Sequence, residues 1–472
     1  MNVKHWIQGW RRDIAGVRVK GSFARNALYT FSDAAVNVLS QIILTPIVAH
    51  LYGPVAYGIY GLFNTISTNL STIAGLGYPG AFMLPREERD FHALARLSLL
   101  LLITITAITL PFFLIPSLLY TAFPSWRVMG RWCIAIPLMV LVLGGFQILL
   151  HWATRVKAFS LYAKVGPTTN VSLRMMNVAI GVVHRGSSFG LIFSDVFVRT
   201  LSGIWFALGL RKHGLGRILI RQQRRAVRDA AIDYRDYPTF IFPGRWLGLF
   251  ALQLPIFGLT ALGDVDSGAV GRFTLAGGLL LMPLRLFGYS LSAVFMQKAN
   301  EAGQNDPASL GLLTRRLYMR LFALGVIPFT ALTFFGDKVF LLIGDTWQVA
   351  GAYCGIMGPF YLFRLLSEPL ITIYNAQRAE KRLFVFYVFL FALNAAAVWI
   401  GTYVFADAAM VVLLFAGCNT AAYLYLSCAI LRTTGLPWQR ITARTLLLTL
   451  LSAAVLAALR FAVFGSWLPV MR

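Results

Sequence analysis

Long runs of apolar residues recur along the whole chain, and short polar stretches separate them. A bilayer core about 30 Å thick is crossed by roughly 20 residues of helix. A helix also satisfies its own backbone hydrogen bonds, so it can lie in hydrocarbon without water. The pattern therefore predicts an all-α integral membrane protein with 12–14 transmembrane helices. The predicted helices cover residues 26–50, 58–84, 97–120, 132–152, 159–183, 188–210, 239–262, 268–297, 317–343, 348–376, 383–406, 408–431 and 441–464.

The composition agrees with a membrane location. Of the 472 residues, 58% are hydrophobic and 13% are charged, and the mean hydropathy is +0.70. Soluble domains have about 45–50% apolar and roughly 25% charged residues. The four cysteines fall in predicted helices without a C-x-x-C pair, so they indicate neither a disulfide framework nor a metal site. We expect no cofactor and no catalytic centre.

Basic residues concentrate in alternate loops. With the amino terminus in the cytoplasm, every inner loop is rich in Lys and Arg, whereas the outer side is poor in them. The positive-inside rule therefore predicts a cytoplasmic amino terminus in a multi-pass protein. Residues 1–25 form a basic segment with no cleavable signal sequence. The net charge of +24 then faces anionic lipid and does not require a nucleic-acid partner.

The two halves of the chain contain a similar motif. A helix ending in a glycine turn and a second helix opening with Gly-x-aromatic occur at residues 46–60 and again at 255–273. Internal repeats with a site between them are common in transporters. The sequence therefore predicts two parallel six-helix lobes and one extra helix. The predicted segments are a basic cytoplasmic segment (1–25), an N-lobe (26–210), a cytoplasmic amphipathic linker (211–238), a C-lobe (239–431) and an additional transmembrane segment (432–472).

The first predicted hairpin carries a resemblance to a known family. The sequence NVLSQIILTPIVA at residues 37–49, followed by LYGP and AYGIY at 51–60, resembles the first hairpin of bacterial Wzx-type oligosaccharide flippases. These are polysaccharide transporters of the multidrug/oligosaccharidyl-lipid/polysaccharide exporter (MOP) superfamily. The resemblance covers roughly residues 22–435. It continues at AFMLPR (81–86), YRDYP (234–238), QLP (253–255), LMPL (281–284) and QKANE (297–301).

This resemblance implies a two-lobed transporter of the bacterial inner membrane without ATPase activity. The implied substrate is an undecaprenyl-pyrophosphate-linked oligosaccharide, moved from the cytoplasmic to the periplasmic leaflet for O-antigen, capsule or exopolysaccharide assembly. The implied mechanism is alternating access driven by a gradient of H⁺ or Na⁺. The implied partners are membrane lipids, a polysaccharide polymerase and the chain-length machinery.

Charged residues inside the predicted helices are the candidate site. Such residues cost several kcal/mol in hydrocarbon, about 2.5–3.5 on insertion scales, so they face a cavity or a partner. Arg174 and Arg285 have no acid at helical spacing, and an arginine fork matches a phosphate. We predict that both bind the pyrophosphate or an anionic sugar. Arg25, at the mouth of the first helix, either joins them or anchors the helix at the membrane surface.

The candidate ion-coupling acids are Asp33, Asp195 and Glu368. A carboxylate removed from water binds a proton more readily than one in solution. Asp195 with Arg199, and Arg364 with Glu368, are spaced four residues apart, so each pair shares one helix face. These pairs either carry the coupling ion or hold helices together.

Two amide side chains, Asn37 and Gln41, complete the predicted site. They either contact sugar hydroxyl groups or only bond across helices.

The sequence bears on three other functions. An ion-coupled exporter of drugs or small molecules from the same superfamily would share the fold, although excess arginine disfavours cationic substrates. A membrane-embedded enzyme is disfavoured because the first outer loop, residues 51–57, contains no acid. An ATP-driven pump is excluded for this chain alone, since it has no G-x-x-x-x-G-K-[ST] motif.

Overall fold

The computed structural model describes residues 23–467, except 220–223, 264–267, 289–290, 293–294, 296–298, 300–306 and 377–378. For residues 23–35 only the backbone is described. Within these ranges every regular element is a helix, which confirms the all-α prediction.

Sixteen α-helices are numbered here in chain order. They are α1 (Phe23–Ala74), α2 (Glu88–Leu114), α3 (Pro116–Ala122), α4 (Ile136–Arg155), α5 (Phe159–Val183), α6 (Ser188–Arg211), α7 (Arg224–Asp233), α8 (Phe242–Ala251), α9 (Leu254–Ala261), α10 (Ala269–Pro283), α11 (Pro307–Leu341), α12 (Gln348–Ser367), α13 (Thr372–Ala376), α14 (Glu380–Trp399), α15 (Ala408–Thr433) and α16 (Trp438–Phe464).

Short helical segments of other types extend or join these helices. Turns of 3₁₀-helix lie at Tyr78–Ala81, Pro124–Ala135, Leu215–Leu219, Asp345–Trp347 and Glu368–Leu370. Turns of π-helix lie at Tyr237–Ile241, Leu284–Gly288 and Ile400–Val404.

Ten helical segments in the described ranges are long and apolar enough to cross a membrane. An eleventh candidate is a pair of helical segments bent by 42°, Tyr237–Ala251 with Leu254–Ala261, which forms either a broken span or a re-entrant loop. Helix α5 is not among them because Lys164, Arg174 and its hydroxyl and amide side chains lower its hydropathy. It nevertheless occupies the predicted range 159–183.

Helix α1 folds back on itself at Gly53. This glycine has φ 71° and ψ 170°, a left-handed conformation that other residues rarely adopt. Gln41 donates a hydrogen bond to the carbonyl of Gly278, and Gly61 lies against Thr274. As a straight helix, the stretch from Gln41 to Gly61 would span about 30 Å, whereas Thr274 and Gly278 are one helical turn apart, about 6 Å. The two arms of α1 therefore run side by side, as the two separate predicted spans require.

The helices form two packed groups. In the amino-terminal group, α1 packs on α4, α5 and α6, and α2 packs on α4. In the carboxy-terminal group, α12 packs on α10, α11 and α15, while α14 packs on α8 and α15. The two groups meet mainly where α1 lies against α10. Helix α16 packs on α11 at the edge of the second group.

The basic loops gather at one end of the molecule, called here the basic end. Arg155, at the end of α4, forms an ion pair with Glu88 at the start of α2 (3.5 Å). The Tyr78 hydroxyl donates to the carbonyl of Ala231 in α7 (3.1 Å). Helix α7 lies in the predicted linker and packs on α2, so this helix lies against the basic end.

The opposite end is closed by contacts between the two groups. The Trp347 indole donates to the carbonyl of Ala49 (3.1 Å), and His50 Nδ1 lies 2.9 Å from the carbonyl oxygen of Ile343. Just inside these contacts, the backbones of α1 and α10 touch at Gly58 and Gly271.

We expect Gly271→Ala to weaken the closed arrangement of this end. A methyl group at Gly271 would overlap the carbonyl group of Pro54, and overpacking of this kind costs about 1–3 kcal/mol. The measurement is the thermal unfolding midpoint together with the distance between spin labels on the two groups at the opposite end. Gly278→Ala is the matched control because its methyl would make only an ordinary contact, 3.8 Å from Gln41 Nε2. Equal effects of the two substitutions would contradict the role assigned to the Gly271 contact.

Candidate functional site

Arg174 projects from α5 onto the first arm of α1. One guanidinium nitrogen donates to the Ser40 hydroxyl (2.6 Å) and to the carbonyl of Asn37 (3.3 Å). The other donates to Asn37 Oδ1 (3.0 Å). The side chain is half-buried. These partners are neutral, so they orient the guanidinium without cancelling its charge.

Arg285 lies in the π-helical turn that follows α10, and that turn packs against α1. It is half-buried. It interacts electrostatically with Arg174, which repels it, and with Tyr361 in α12. The two arginines predicted to bind an anion therefore lie near one another, one from each helix group.

Asp195 and Arg199 form an ion pair on α6, with Arg199 Nε 2.6 Å from Asp195 Oδ1. The Asp195 side chain is 0% exposed and that of Arg199 is 31% exposed. Arg199 is also hydrogen-bonded to the hydroxyl of Tyr60 in α1. The second carboxylate oxygen, Oδ2, is buried without a hydrogen-bond partner in the described part of the chain. Such an oxygen can accept a proton or a small cation.

Arg364 and Glu368 form a more complete pair at the end of α12. Arg364 Nε lies 2.6 Å from Glu368 Oε2, and its Nη2 lies 3.3 Å from Oε1. The Arg364 guanidinium also lies over the ring of Tyr361, 5.7 Å from its centre. Both carboxylate oxygens of Glu368 are thus engaged, whereas Asp195 engages only its Oδ1 among the described residues.

Tyr57 connects Arg174 with the Asp195–Arg199 pair through Tyr60. Its ring contacts Tyr60 (6.4 Å between centroids) and Trp347 (5.7 Å), and its hydroxyl interacts electrostatically with Arg174. The connected residues are called here the arginine–tyrosine cluster. It comprises Tyr57, Tyr60, Arg174, Asp195, Arg199, Arg285, Tyr361, Arg364 and Glu368. The described members of this set therefore comprise four arginines, two carboxylates and three tyrosines.

Of the four remaining predicted site residues, two have described side-chain contacts and two do not. Asn37 holds Arg174, and Gln41 bonds across the boundary between the groups, with its Oε1 buried and without a partner in the described part of the chain. Arg25 and Asp33 lie on the first arm of α1, but their side chains are outside the described residues.

Sequence reasoning missed the tyrosines of the cluster. Tyr361 lies one helical turn before Arg364, so the sequence indicates that these two side chains are close. Tyr57 and Tyr60 belong to the AYGIY motif, which marks them but does not indicate their charged neighbours. It also missed a second ionic contact. Asp337 and Arg460 form a bidentate pair at 2.7 and 2.8 Å, and both side chains are 0% exposed. Arg460 projects from α16 onto α11 and is buried there.

The described residues contain no group of three or more His, Cys, Asp or Glu side chains that could hold a metal ion. All four cysteines, Cys133, Cys354, Cys418 and Cys428, have free thiols. Within this part of the chain the candidate chemistry is therefore the binding of anions by arginine and of protons or small cations by carboxylate.

Solved structures of membrane transporters share this fold. An inward-facing multidrug resistance MATE family transporter of the MOP superfamily superposes with a TM-score of 0.61 at 12% identity, covering 90% of this chain and 97% of that one. A Vibrio cholerae MATE transporter gives 0.58 at 13% identity, covering 87% and 96%. An outward-facing MATE family transporter of the MOP superfamily gives 0.55 at 14%, covering 87% and 95%. No family model matches the chain, and no curated protein matches it.

Proposed function

We propose that the protein moves a bulky anionic lipid-linked sugar, an undecaprenyl-pyrophosphate-linked oligosaccharide, from the inner to the outer leaflet of a bacterial inner membrane. The observation that carries this proposal is that two arginines from different helix groups, Arg174 and Arg285, lie near one another in the arginine–tyrosine cluster. A diphosphate has the charge and the oxygen geometry that paired guanidinium groups bind. The fold shared with transporters of the MOP superfamily supports a transport role without ATP hydrolysis.

Arg174 and Arg285 are the proposed ligands of the diphosphate. They belong to different helix groups and repel one another electrostatically, so an anion between them would relieve that repulsion. Binding would thus draw the two groups together at the cluster. Asn37, Gln41 and the cluster tyrosines offer neutral hydrogen-bonding groups of the kind that sugar hydroxyls use.

Asp195 is the proposed coupling residue. It is fully buried, and its Oδ2 has no hydrogen-bond partner among the described residues, whereas both oxygens of Glu368 contact Arg364. A proton or Na⁺ bound at Oδ2 would weaken the hold of Asp195 on Arg199 and, through Tyr60, alter the packing of α6 on α1. Ion binding at this position would therefore bias one arrangement of the helices over another.

We expect Asp195→Asn to abolish the dependence of transport on the ion gradient. Asparagine keeps the size of the side chain but cannot exchange a proton or attract a cation. The measurement is the ratio of transport rates with and without an imposed H⁺ or Na⁺ gradient, which should fall to unity. Glu368→Gln is the matched control, since it removes the acid of the other four-residue ion pair. Loss of coupling in the control alone would reassign the coupling residue to Glu368.

The closed opposite end supports an inward-facing state for this structure. The contacts of Ala49 and His50 with Trp347 and Ile343 seal that end. The inward-facing relative also superposes with a higher TM-score than the outward-facing one. In alternating access these contacts would separate while the basic end closes around the emptied cluster.

The experiment that tests the function follows the leaflet position of a fluorescent undecaprenyl-pyrophosphate oligosaccharide in proteoliposomes. Purified protein is expected to speed its movement across the bilayer, and an imposed H⁺ or Na⁺ gradient is expected to increase the rate further. Liposomes without protein, and liposomes with the protein and the uncharged polyprenol, are the controls. Absence of movement under either gradient would overturn the proposal.

An ion-coupled exporter of drugs or small molecules is the second candidate. The observation in its favour is that the structural relatives named above are multidrug or MATE transporters. The same proteoliposomes distinguish the two functions when they are loaded with a cationic dye. Export of the dye without movement of the lipid-linked sugar would establish this second function in place of the first.

A further inference from the structure

A cavity of about 700 Å³ lies at the basic end, between α14 and α15, and none of its lining residues belongs to the arginine–tyrosine cluster. Its size is within the range of about 300–1,000 Å³ that is usual for small-molecule sites. Lys381 and Arg382 line it from α14, and Arg432 lines it from the last turn of α15. Tyr374, Tyr425 and Thr433 line it as well, so six side chains with polar ends share one opening.

The positive charge of this cavity has no internal counterpart in the described part of the chain. Among the described residues, its lining includes no carboxylate, and no carboxylate lies within ion-pair distance of Lys381, Arg382 or Arg432. The side chain of Glu380 is outside the described residues. Lys381 and Arg382 also lie in the first turn of α14, where the helix dipole disfavours cations and favours anions. A bound anion would neutralise the three cations and would itself interact favourably with the helix dipole.

The hydroxyl groups of the cavity add directional partners. Tyr374 is 4% exposed and interacts electrostatically with both Tyr425 and Arg382. These three polar ends therefore converge. A tyrosine hydroxyl can donate a hydrogen bond to a phosphate oxygen, and a guanidinium can donate two.

The rest of the cavity is mostly apolar, and it opens on the outer surface of the helix bundle. Leu383, Val385, Phe386 and Leu426 line it. Val385 and Tyr425 are 65% and 67% exposed. A ligand with a charged head and an apolar tail would satisfy both parts of this lining. A free anion would satisfy only the basic part.

We propose that this cavity binds the headgroup of an anionic phospholipid from the leaflet at the basic end. The juxtaposition of Lys381, Arg382 and Arg432 with an apolar groove on the outside of the bundle matches a phosphodiester with attached acyl chains. Basic pockets between membrane helices on the cytoplasmic side bind anionic headgroups by the same chemistry. A lipid held here would bridge α14 and α15, and this site is independent of the transported substrate.

The test measures lipid binding to the purified full-length protein by native mass spectrometry. Dioleoylphosphatidylglycerol is the probe, and dioleoylphosphatidylcholine is the zwitterionic reference. We expect wild type to bind phosphatidylglycerol preferentially. The triple variant Lys381→Gln/Arg382→Gln/Arg432→Gln should lose affinity roughly fivefold for each charge removed. The matched control is Arg315→Gln/Arg440→Gln/Arg444→Gln, which removes three exposed charges of the basic end outside the cavity.

Three outcomes would overturn the proposal. One is equal binding of the two lipids by wild type, and another is an equal loss in the triple variant and its control. The third is complete displacement of phosphatidylglycerol by inorganic phosphate at equal concentration, which would identify a site for free anions. Because binding is measured without transport, a negative flippase assay would leave this test unaffected.

Discussion

Arg174→Gln and Arg285→Gln are each expected to slow the movement of the lipid-linked oligosaccharide roughly tenfold to hundredfold, since a hydrogen bond to a charged group contributes about 1.5–3 kcal/mol. Glutamine preserves much of the side-chain length and some hydrogen bonding, but it removes the charge that attracts a diphosphate. The measurement is the initial rate in the proteoliposome assay, with substrate concentration varied to separate binding from translocation. Arg185→Gln is the matched control, because Arg185 is exposed in the loop that follows α5.

Lysine substitutions refine this prediction. Lysine keeps the charge but loses the planar fork of donors. We therefore expect Arg174→Lys and Arg285→Lys to transport at rates between those of wild type and the glutamine variants. Wild-type rates in well-folded Arg174→Gln and Arg285→Gln would exclude both arginines from substrate binding. A faster export of cationic dye by the same variants would instead support the drug-exporter function, because the cluster would then repel its cationic substrate less.

Arg460→Met is expected to destabilise the protein by about 3–5 kcal/mol, the usual cost of leaving one member of a buried ion pair without its partner. Arg460 and Asp337 are both fully buried and joined through two hydrogen bonds. Arg460 also donates to the carbonyl of Phe334. Few other side chains of α16 are buried, namely Ile441, Thr442 and Thr445 near its first turns. This pair therefore holds the far end of α16 against α11.

The double variant Asp337→Leu/Arg460→Met should recover most of the lost stability, since replacing both charges by apolar groups is often neutral. The measurements are the thermal unfolding midpoint in detergent and hydrogen exchange along the second half of α16. Lys338→Met is the control, since it removes a neighbouring charge that lies over the Phe464 ring (4.7 Å) instead of one that is buried. Unchanged stability in Arg460→Met would mean that α16 is held in place by other contacts.

Much of the fold follows from local properties of the chain. Each span is an apolar segment of sufficient length, and hydrocarbon requires its backbone to be helical whatever its neighbours are. Helix α5 is the exception, because it occupies its predicted range although its polar residues lower its hydropathy. The reversal at Gly53 was readable from the Gly-Pro turn at the end of the first span.

Only some contacts of the candidate site were predictable from the sequence. The pairs Asp195–Arg199 and Arg364–Glu368 were predictable because helical spacing alone brings their side chains together, and both are present. The proximity of Arg174 to Arg285 was not predictable from spacing, because more than a hundred residues separate them and only the packing of α5 and α10 on α1 brings them near. The partners of Arg174 on α1 have the same origin.

The sequence by itself determined the helices, the alternation of basic loops and the presence of charged residues inside the spans, because each depends on local composition in a bilayer. Only the tertiary structure decided which charges meet. The packing leaves one oxygen of Asp195 buried and without a partner among the described residues. It also buries Arg460 against Asp337 and places three cations around one cavity at the basic end. The physical reason is that long side chains reach across helix interfaces, and the orientation of those interfaces depends on the packing of the whole bundle.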